Sequence, residues 1–504
     1  MESKIITGLR CRLVIAFAML LSTLNVYSQD FKEQKIVISG RVLGYDKTRG
    51  QNTISFIRRS LVEQPERKIS TIRPDGSFSF ETQIAFAQDI VMQCGRFAHF
   101  FFRPGNNLKI VIKAPGIIKE GHNDFVTITG GSCAEENKHI QRFIQQRENR
   151  MDDGEHQKAV QEKLPEEYQL YVMQRLRKEQ EMLKQFTRTG KTSLLFNHWA
   201  ADYLQYNAWN DLLRYCWENP MLNSKETKDL AMPVGYFNFL SDYNMDDRTV
   251  LSAPHTDFLY ELYRHTLQEL DPHSKTLLAQ LVAEKDITGM MKLYISTFNR
   301  QLTGFTRDVF MTRLFLDALN GNQLKEFKAT WHRGSITNGY FRRMITDKSR
   351  YLENYLQNQQ VKKGSDLLSI DHVIVKSLID TLYKKYSGKV MYIDLWAPWC
   401  IPCMEAMPAS KNIQELYKGK EIVFVFLANR CTDESWKATI ANHRLPGLHI
   451  NLTDDQYNVL AEKFNVSGIP HYVIIDKNGA IVNSNAPGPD REKELTGELN
   501  KLLQ

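Results

Sequence analysis

The sequence predicts a multi-domain chain with an N-terminal antiparallel β-sandwich, a central α-helical region and a C-terminal α/β domain. Turn residues separate short alternating strands at first, then apolar residues recur at helical spacing, and finally strands alternate with helices. A chain of 504 residues with 42% apolar residues is globular and too long for one ordinary domain. The predicted parts are a signal peptide over 1–28, the sandwich over 29–132, the helical region over 133–362 and the α/β domain over 363–504.

Residues 1–28 carry the pattern of a signal peptide. A basic stretch with Lys4, Arg10 and Arg12 precedes nine apolar residues, Leu13 to Leu21, and a small-residue cleavage site follows. Nine residues are too few to span a bilayer, which takes about twenty. We therefore expect an exported protein of the periplasm or cell envelope, with no transmembrane segment in the mature chain. An uncleaved signal anchor is the alternative.

The charge of the chain excludes some partners. The formal net charge is +7 at pH 7, and it is spread over the whole chain. So thin an excess does not indicate binding to nucleic acid or to an anionic membrane surface.

The first part of the sequence, over 29–132, is predicted to form short strands. A strand from Ile36 to Leu43 ends at Gly44, and Pro74-Asp75-Gly76 is a turn signal between two alternating runs. The runs 100–102 and 108–112 flank a second turn signal and are predicted to form a hairpin. Strands and turns at this spacing are typical of a small antiparallel sandwich.

The central part reads as helices. Residues 138–190 are rich in charged side chains, with apolar positions three and four apart, which predicts a solvated amphipathic helix pair. A coiled coil that forms a homodimer is the alternative. An aromatic stripe at helical spacing follows, and we interpret it as core rather than as a ligand groove: Trp199, Tyr203, Tyr206, Trp209, Leu213 and Trp217.

The last part alternates strands with helices, as in a small sheet covered on both faces. A hairpin turn at Lys477-Asn478-Gly479 and a closing helix end the pattern. The predicted strands are 389–395, 421–428, 448–452, 472–476 and 480–482, and the predicted helices begin at Cys400 or cover 435–443, 455–464 and 491–503.

Cys400 and Cys403 form the one cysteine pair with an informative spacing. Such a pair is a redox dithiol, half a zinc site or a structural bridge. Zinc needs two further ligands, and Cys431, His443 and His449 do not supply a matching pair, so we expect no metal.

The position of this pair favours redox chemistry. It follows a buried strand and opens a helix, where unpaired N–H groups and the helix dipole stabilise a thiolate. We expect Cys400 to be the exposed, attacking thiol and Cys403 the more buried, resolving one. The remaining cysteines of the mature chain are interpreted as buried small hydrophobic residues, with a structural bridge as the alternative: Cys94, Cys133, Cys216 and Cys431.

The residues around the pair resemble the thioredoxin family. Pro408 matches the proline inside its active-site helix, and Gly468-Ile469-Pro470 matches its cis-proline loop. Asp394 falls where thioredoxins bury a carboxylate behind the resolving cysteine. The export signal and the long segment before Pro470 point to the TlpA/ResA-like branch, in its multi-domain envelope form as in Bacteroidota. The central match is Trp396-Ala397-Pro398-Trp399-Cys400-Ile401-Pro402-Cys403.

This resemblance implies an enzyme, a thiol-disulfide oxidoreductase without a cofactor that acts on protein disulfides. It implies that Trp399, Ile469 and Pro470 bind the substrate chain. Many members carry a Glu where this sequence has Ala406. The role of accepting the proton of Cys403 is therefore assigned, by elimination, to Asp394. We expect desolvation to raise the pKa of Asp394.

The reaction direction is also an expectation. The resemblance favours a reductase supplied with electrons by a membrane dithiol relay. Two alternatives stay open. One is an oxidase or isomerase that uses the same site. The other is an envelope binding or scaffold protein in which the dithiol only senses redox state.

Overall fold

The computed structural model describes residues 31–46, 52–63, 65–113, 125–150, 153–223, 230–243, 251–368 and 378–504. The signal peptide predicted for residues 1–28 lies outside them. The strands are β1 (Gln34–Leu43), β2 (Thr53–Arg58), β3 (Glu66–Thr71), β4 (Ser77–Ile84), β5 (Gln88–Cys94), β6 (Arg96–Phe102), β7 (Asn107–Lys113), β8 (Val126–Gly130), β9 (Ser365–Leu367), β10 (Val390–Trp396), β11 (Ile422–Asn429), β12 (Gly447–Leu452), β13 (His471–Ile475) and β14 (Ile481–Asn483).

The helices follow the sandwich strands and then alternate with the strands of the last part. They are α1 (Ala134–Glu148), α2 (Asp153–Glu162), α3 (Pro165–Thr189), α4 (Leu194–Leu222), α5 (Ala253–Gln268), α6 (Pro272–Ala283), α7 (Ile287–Gln301), α8 (Gly304–Asn320), α9 (Leu324–Thr330), α10 (Gly339–Gln357), α11 (Leu378–Lys385), α12 (Ile401–Leu416), α13 (Asp433–His443), α14 (Asp454–Phe464) and α15 (Glu492–Leu503).

The chain divides into two compact units. The first reaches to Arg313 and includes His332–Arg342, and the second consists of Leu314–Trp331 and Arg343–Gln504. The first unit holds the β-rich part with the helices α1 to α7, and the second holds the α/β part.

Two four-stranded sheets form the β-rich part of the first unit. Their strand orders are β4-β1-β7-β8 and β3-β2-β5-β6. Alternate side chains from both sheets meet in one buried core, in which the rings of Phe56 and Phe80 stack at 4.2 Å. This arrangement is the predicted sandwich.

The pairing inside this sandwich differs from the prediction at two places. β1 and β7 run parallel, so the first sheet is mixed rather than antiparallel. The hairpin predicted over 100–112 is wrong, because β6 pairs with β5 in one sheet while β7 pairs with β1 and β8 in the other. A turn sequence fixes a change of direction, and it does not decide whether the second strand stays in the same sheet.

The helices of the first unit pack around aromatic residues. Most of the predicted stripe is core, since Trp199, Tyr203, Trp209 and Leu213 are buried, while Tyr206 is half-buried. The region predicted as a helix pair over 138–190 contains three helices, α1 to α3, because Pro165 begins a new helix at a position where proline is tolerated.

One buried carboxylate joins the sandwich to the helices. Asp89 of β5 accepts a hydrogen bond from the indole Nε1 of Trp199 in α4, at 2.8 Å. Its other oxygen accepts from the backbone N–H of Ala253 at the start of α5, at 2.7 Å. Burial raises the pKa of Asp89 to about 7.

The second unit contains a six-stranded sheet of order β14-β13-β10-β11-β12-β9. β10 pairs in parallel with β11 and antiparallel with β13, so it lies inside the sheet. Apolar side chains are buried on both faces. The predicted strands and helices are all present, which confirms the α/β fold, and two short elements, β9 and α11, were not predicted. Across the described ranges, no helix has the length and apolar character needed to cross a bilayer.

Candidate functional site

The two cysteines of the informative pair are joined by a disulfide at the start of α12. The Cα atoms of Cys400 and Cys403 lie 5.2 Å apart. Cys400 is the residue that caps the helix, and the backbone N–H of Cys403 donates a hydrogen bond to its Sγ at 3.2 Å. The first sulfur therefore sits where unpaired helix N–H groups stabilise negative charge.

The expectation of an exposed Cys400 is wrong for this disulfide form. The residue is 4% exposed and Cys403 is 2% exposed, so the two differ little. Both residues belong to the buried cluster between α12 and the sheet. The exposed residues at this helix start are Trp399, Ile401 and Pro402.

Trp399 stands at the rim of the dithiol. Its side chain is 38% exposed, and its indole Nε1 donates a hydrogen bond to the backbone carbonyl of Arg430 at 2.9 Å. Arg430 directly follows β11 and has a left-handed backbone, with a φ of 48°. A second bond supports the same loop, from the Asn429 side-chain amide to the carbonyl of Trp396 at 3.0 Å.

These two bonds were not foreseen from the sequence. Arg430 and Asn429 lie about thirty residues after the tryptophans that they contact, and only the parallel pairing of β10 with β11 brings them there. The one available signal was the polar pair that ends an otherwise apolar strand.

Asp394 lies in the middle of β10, between Phe426 and Tyr472 on the adjacent strands. Side chains alternate along a strand, so Asp394 shares a sheet face with Tyr392 and Trp396. Those two residues belong to the cluster that contains both cysteines. Asp394 therefore faces the side of the sheet that α12 covers.

The environment of Asp394 disfavours its charge. The residue is 3% exposed, and its Oδ1 atom has no hydrogen-bond partner among the described residues. Burial is the cause that raises its pKa to about 8, compared with 3.8 for an ordinary aspartate. A carboxyl group with this pKa is close in acidity to an ordinary cysteine thiol.

The predicted substrate-binding loop precedes β13. The Ile469–Pro470 bond is cis, and Ile469 packs against the cluster that holds both cysteines. Pro470 is half-buried and leads into β13, the antiparallel neighbour of β10.

His449 is buried, and its Nε2 atom lies 2.9 Å from the carbonyl of Leu445.

The described residues contain no group of three or more side chains suited to hold a metal ion. Cys133, Cys216 and Cys431 are free thiols in this part of the chain. Cys94 and Cys133 are buried, as expected, while Cys216 and Cys431 are only partly buried.

This dithiol at a helix start, beside a buried carboxylate and a cis-proline loop, defines a thioredoxin-like domain. Residues 388–481 match the model of a family described as thioredoxin-like, which is about a fifth of the chain. The C-terminal part therefore carries the fold that the sequence predicts.

Known proteins also resemble part of this chain. The thiol-disulfide oxidoreductase ResA of Bacillus anthracis is 27% identical over 119 residues, which cover 24% of this chain and 66% of ResA. The thioredoxin-like protein YneN of Bacillus subtilis is 28% identical over 22% of this chain and 65% of its own length. The chain thus spans just under two thirds of these curated relatives.

Solved structures include similar domains. A putative thiol-disulfide oxidoreductase from Bacteroides vulgatus is 34% identical, with 24% of this chain and 82% of that chain covered and a TM-score of 0.21. A solution structure of a putative thiol-disulfide oxidoreductase from the same organism is 32% identical, with 24% and 77% covered and a TM-score of 0.22.

Proposed function

We propose that this chain is an exported thiol-disulfide oxidoreductase that reduces disulfides in protein substrates. The observation that carries the proposal is the Cys400–Cys403 pair at the N-terminus of α12, on the sheet face that also holds the buried carboxyl group of Asp394. Export rests on the signal-peptide pattern of residues 1–28.

The first step uses the reduced protein. The Cys400 thiolate attacks one sulfur of a substrate disulfide, so a Cys400–substrate S–S bond forms and the substrate S–S bond breaks. The displaced substrate sulfur leaves as a thiolate and takes a proton from water. The helix terminus supports this step, since it stabilises the attacking thiolate.

The second step resolves the mixed disulfide. Asp394, in its ionised form, accepts the proton of Cys403 directly or through a water molecule. Cys403 then attacks the sulfur of Cys400, and the second substrate sulfur leaves as a thiolate. Two electrons have passed to the substrate, and the protein holds its internal disulfide.

The substrate platform and the electron source complete the proposal. The half-exposed ring of Trp399, with Ile469 and Pro470, offers an apolar surface beside the dithiol for an extended chain. A membrane dithiol relay returns two electrons to the disulfide by the same exchange chemistry. Dimer formation through the helical region stays a prediction.

The test is a trap in the native cell envelope. Cys403→Ser leaves Cys400 able to attack and removes the resolving thiol, so substrates should remain bound as mixed disulfides that dithiothreitol releases. Cys400→Ser, the matched control, should trap nothing. An empty trap, together with no acceleration of insulin reduction by dithiothreitol, would favour a scaffold protein.

The redox potential of the pair decides the direction. A reductase needs a low potential, near that of thioredoxin, at about −270 mV. A value near that of a strong oxidant, about −120 mV, would assign the site to an oxidase. The measurement is equilibration of the full chain with glutathione or dithiothreitol buffers.

A further inference from the structure

Among the residues that the structure describes, no strand covers the outer edge of β6 in the first unit. β6 ends its sheet, and it pairs on one side with β5. The other side faces a cavity of about 940 Å³, which α1 and the edge strand β8 also line. This volume lies at the upper end of the range of about 300–1,000 Å³ for small-ligand sites.

Hydrogen bonds at Phe101 show which backbone groups point to this edge. The backbone N–H of Phe101 donates to Oδ1 of Asn137 in α1 at 2.7 Å, and its carbonyl accepts from Nδ2 of Asn137 at 2.8 Å. The opposite residue, Asp89, sends its own N–H away from β6, to the carbonyl of Leu251. Phe101 and Asp89 are therefore a non-hydrogen-bonded pair of the antiparallel ladder.

Hydrogen-bonded and non-hydrogen-bonded pairs alternate along an antiparallel ladder, so the pairing at Phe101 fixes the direction of the other backbone groups of β6. His99 and Phe97 lie two and four residues before Phe101, opposite Val91 and Gln93, so their N–H and C=O groups also point outward. Among the described residues, no strand pairs with this side of β6. The carboxamide of Asn137 thus takes the hydrogen-bonding place of a neighbouring strand at Phe101. At His99 and Phe97, the backbone groups point to the cavity.

Side chains at this edge suit an apolar residue on the incoming chain. Phe97 is 59% exposed and His99 is half-buried, and both line the cavity. An exposed apolar edge strand is the feature that binds other extended chains.

The charges around the cavity favour a neutral or acidic occupant over a second copy of β6. Three cations line it, Arg96, Lys138 and Arg142, against two carboxylates, Glu135 and Glu148. β6 itself carries Arg96 and no acidic residue, so two copies paired through this edge would add to the positive charge.

We infer that the β6 edge binds an extended, neutral or acidic segment of a substrate polypeptide as an added strand. The inference rests on the proposed function, because a protein that reduces disulfides in substrate polypeptides would gain from a holding site that depends little on sequence. Backbone pairing supplies such a site, since every residue except proline carries the same donor and acceptor.

The probe is reduced, S-carboxymethylated α-lactalbumin, an acidic unfolded chain with no thiol or disulfide. It cannot react with the dithiol, so its binding is independent of the redox chemistry. The full chain should bind it, and Cys400→Ser should bind it equally while it loses reductase activity. Binding with no reductase activity in the wild type would refute the proposed function, and activity without binding would refute this inference.

A proline variant tests the backbone contact. His99→Pro removes an outward N–H and no bond to β5, so the sheet should persist. It should weaken probe binding about tenfold, as expected for the loss of about one hydrogen bond. His99→Ala keeps the N–H and should bind nearly as well as the wild type. Equal binding by His99→Pro and the wild type would overturn the inference.

Amide exchange in the wild type gives a second test that does not depend on a variant. The amides of Phe97 and His99 should exchange about tenfold more slowly when the probe is bound. Protection of both amides before the probe is added would overturn the inference. A lower sedimentation mass of the unliganded protein in His99→Pro than in the wild type would also overturn it, because it would assign the edge to a second copy of the chain.

Discussion

The indole of Trp399 is tied to the backbone carbonyl of Arg430 by a hydrogen bond of 2.9 Å. The bond links the residue that precedes Cys400 to the loop after the adjacent strand. It holds a half-exposed ring in one orientation at the rim of the dithiol, where an incoming chain would meet it.

Trp399→Ala should weaken substrate binding more than it slows the chemistry. Loss of a rigid aromatic contact is worth on the order of 1–2 kcal/mol, so KM for insulin should rise about tenfold. Trp399→Phe retains a ring and lacks the N–H, so its effect should be intermediate. Steady-state kinetics of both variants check this expectation. Unchanged KM in Trp399→Ala would remove this residue from the substrate platform.

Asp394→Asn should slow the resolution of the mixed disulfide. General base catalysis typically contributes about 10²–10⁴-fold, so a loss of about a hundredfold is expected at pH 7. In the wild type, the rate should rise with pH up to about 8, because Asp394 becomes ionised over that range. The levelling of the rate near pH 8 should be absent in the variant, whose rate instead keeps rising with the ionisation of the attacking thiol. Single-turnover tryptophan fluorescence measures the step.

The matched control for this kinetic test is Glu405→Gln. Glu405 lies two residues after Cys403 and is exposed, so its charge is screened by water. A similar loss in Glu405→Gln would show that general electrostatics, rather than the buried carboxylate, controls the resolution step.

Asp394 should also make the oxidised protein less stable as the pH rises. Its folded pKa of about 8 lies above the ordinary 3.8, so the folded form binds more protons than the unfolded form between these values. The free energy of unfolding therefore falls from about pH 4 to about pH 8, by up to about 6 kcal/mol from this group. Asp394→Asn removes this fall.

Denaturant unfolding of the oxidised wild type and variant at several pH values measures the difference. The advantage of Asp394→Asn should grow between pH 4 and pH 8 and be constant above that range. An advantage that does not change with pH would mean that Asp394 is ionised throughout.

Reduced protein should react with iodoacetamide first at Cys400. Burial raises the pKa of Cys133, Cys216 and Cys431 to about 12, and it also raises the pKa of Cys94. These thiols should be labelled at neutral pH only after unfolding, because the thiolate is the reactive form. Peptide mass spectrometry with time resolves the order. Labelling of Cys431 as fast as Cys400 would contradict the role of the helix terminus.

The α/β domain could be predicted closely from the sequence, and the pairing of the sandwich could not. Strand β11 is apolar up to Asn429, and β10 is apolar apart from Asp394, as expected for strands of a sheet that is covered on both faces. In the sandwich, the parallel pairing of β1 with β7 joins residues about seventy positions apart. No local pattern records such a contact.

The candidate site also has features that the sequence predicts and features that it does not. Cys400, Cys403 and Asp394 follow from spacing and resemblance, and the raised pKa of Asp394 follows from its place in an apolar strand. The low exposure of Cys400 and the bond from Trp399 to Arg430 depend on how elements pack, so the sequence pattern did not reveal them. β9 and α11 are only three and eight residues long, too short for a clear period.

The carboxylate of Asp89 has a consequence for how the first unit comes apart. Separation of the sandwich from the helices would leave the indole N–H of Trp199 and the backbone N–H of Ala253 without their acceptor. We therefore expect these strands and helices to unfold together, as one endotherm in a calorimeter. A truncation after β8 would therefore divide a part that unfolds as one, although β8 is the last sandwich strand before the helices begin.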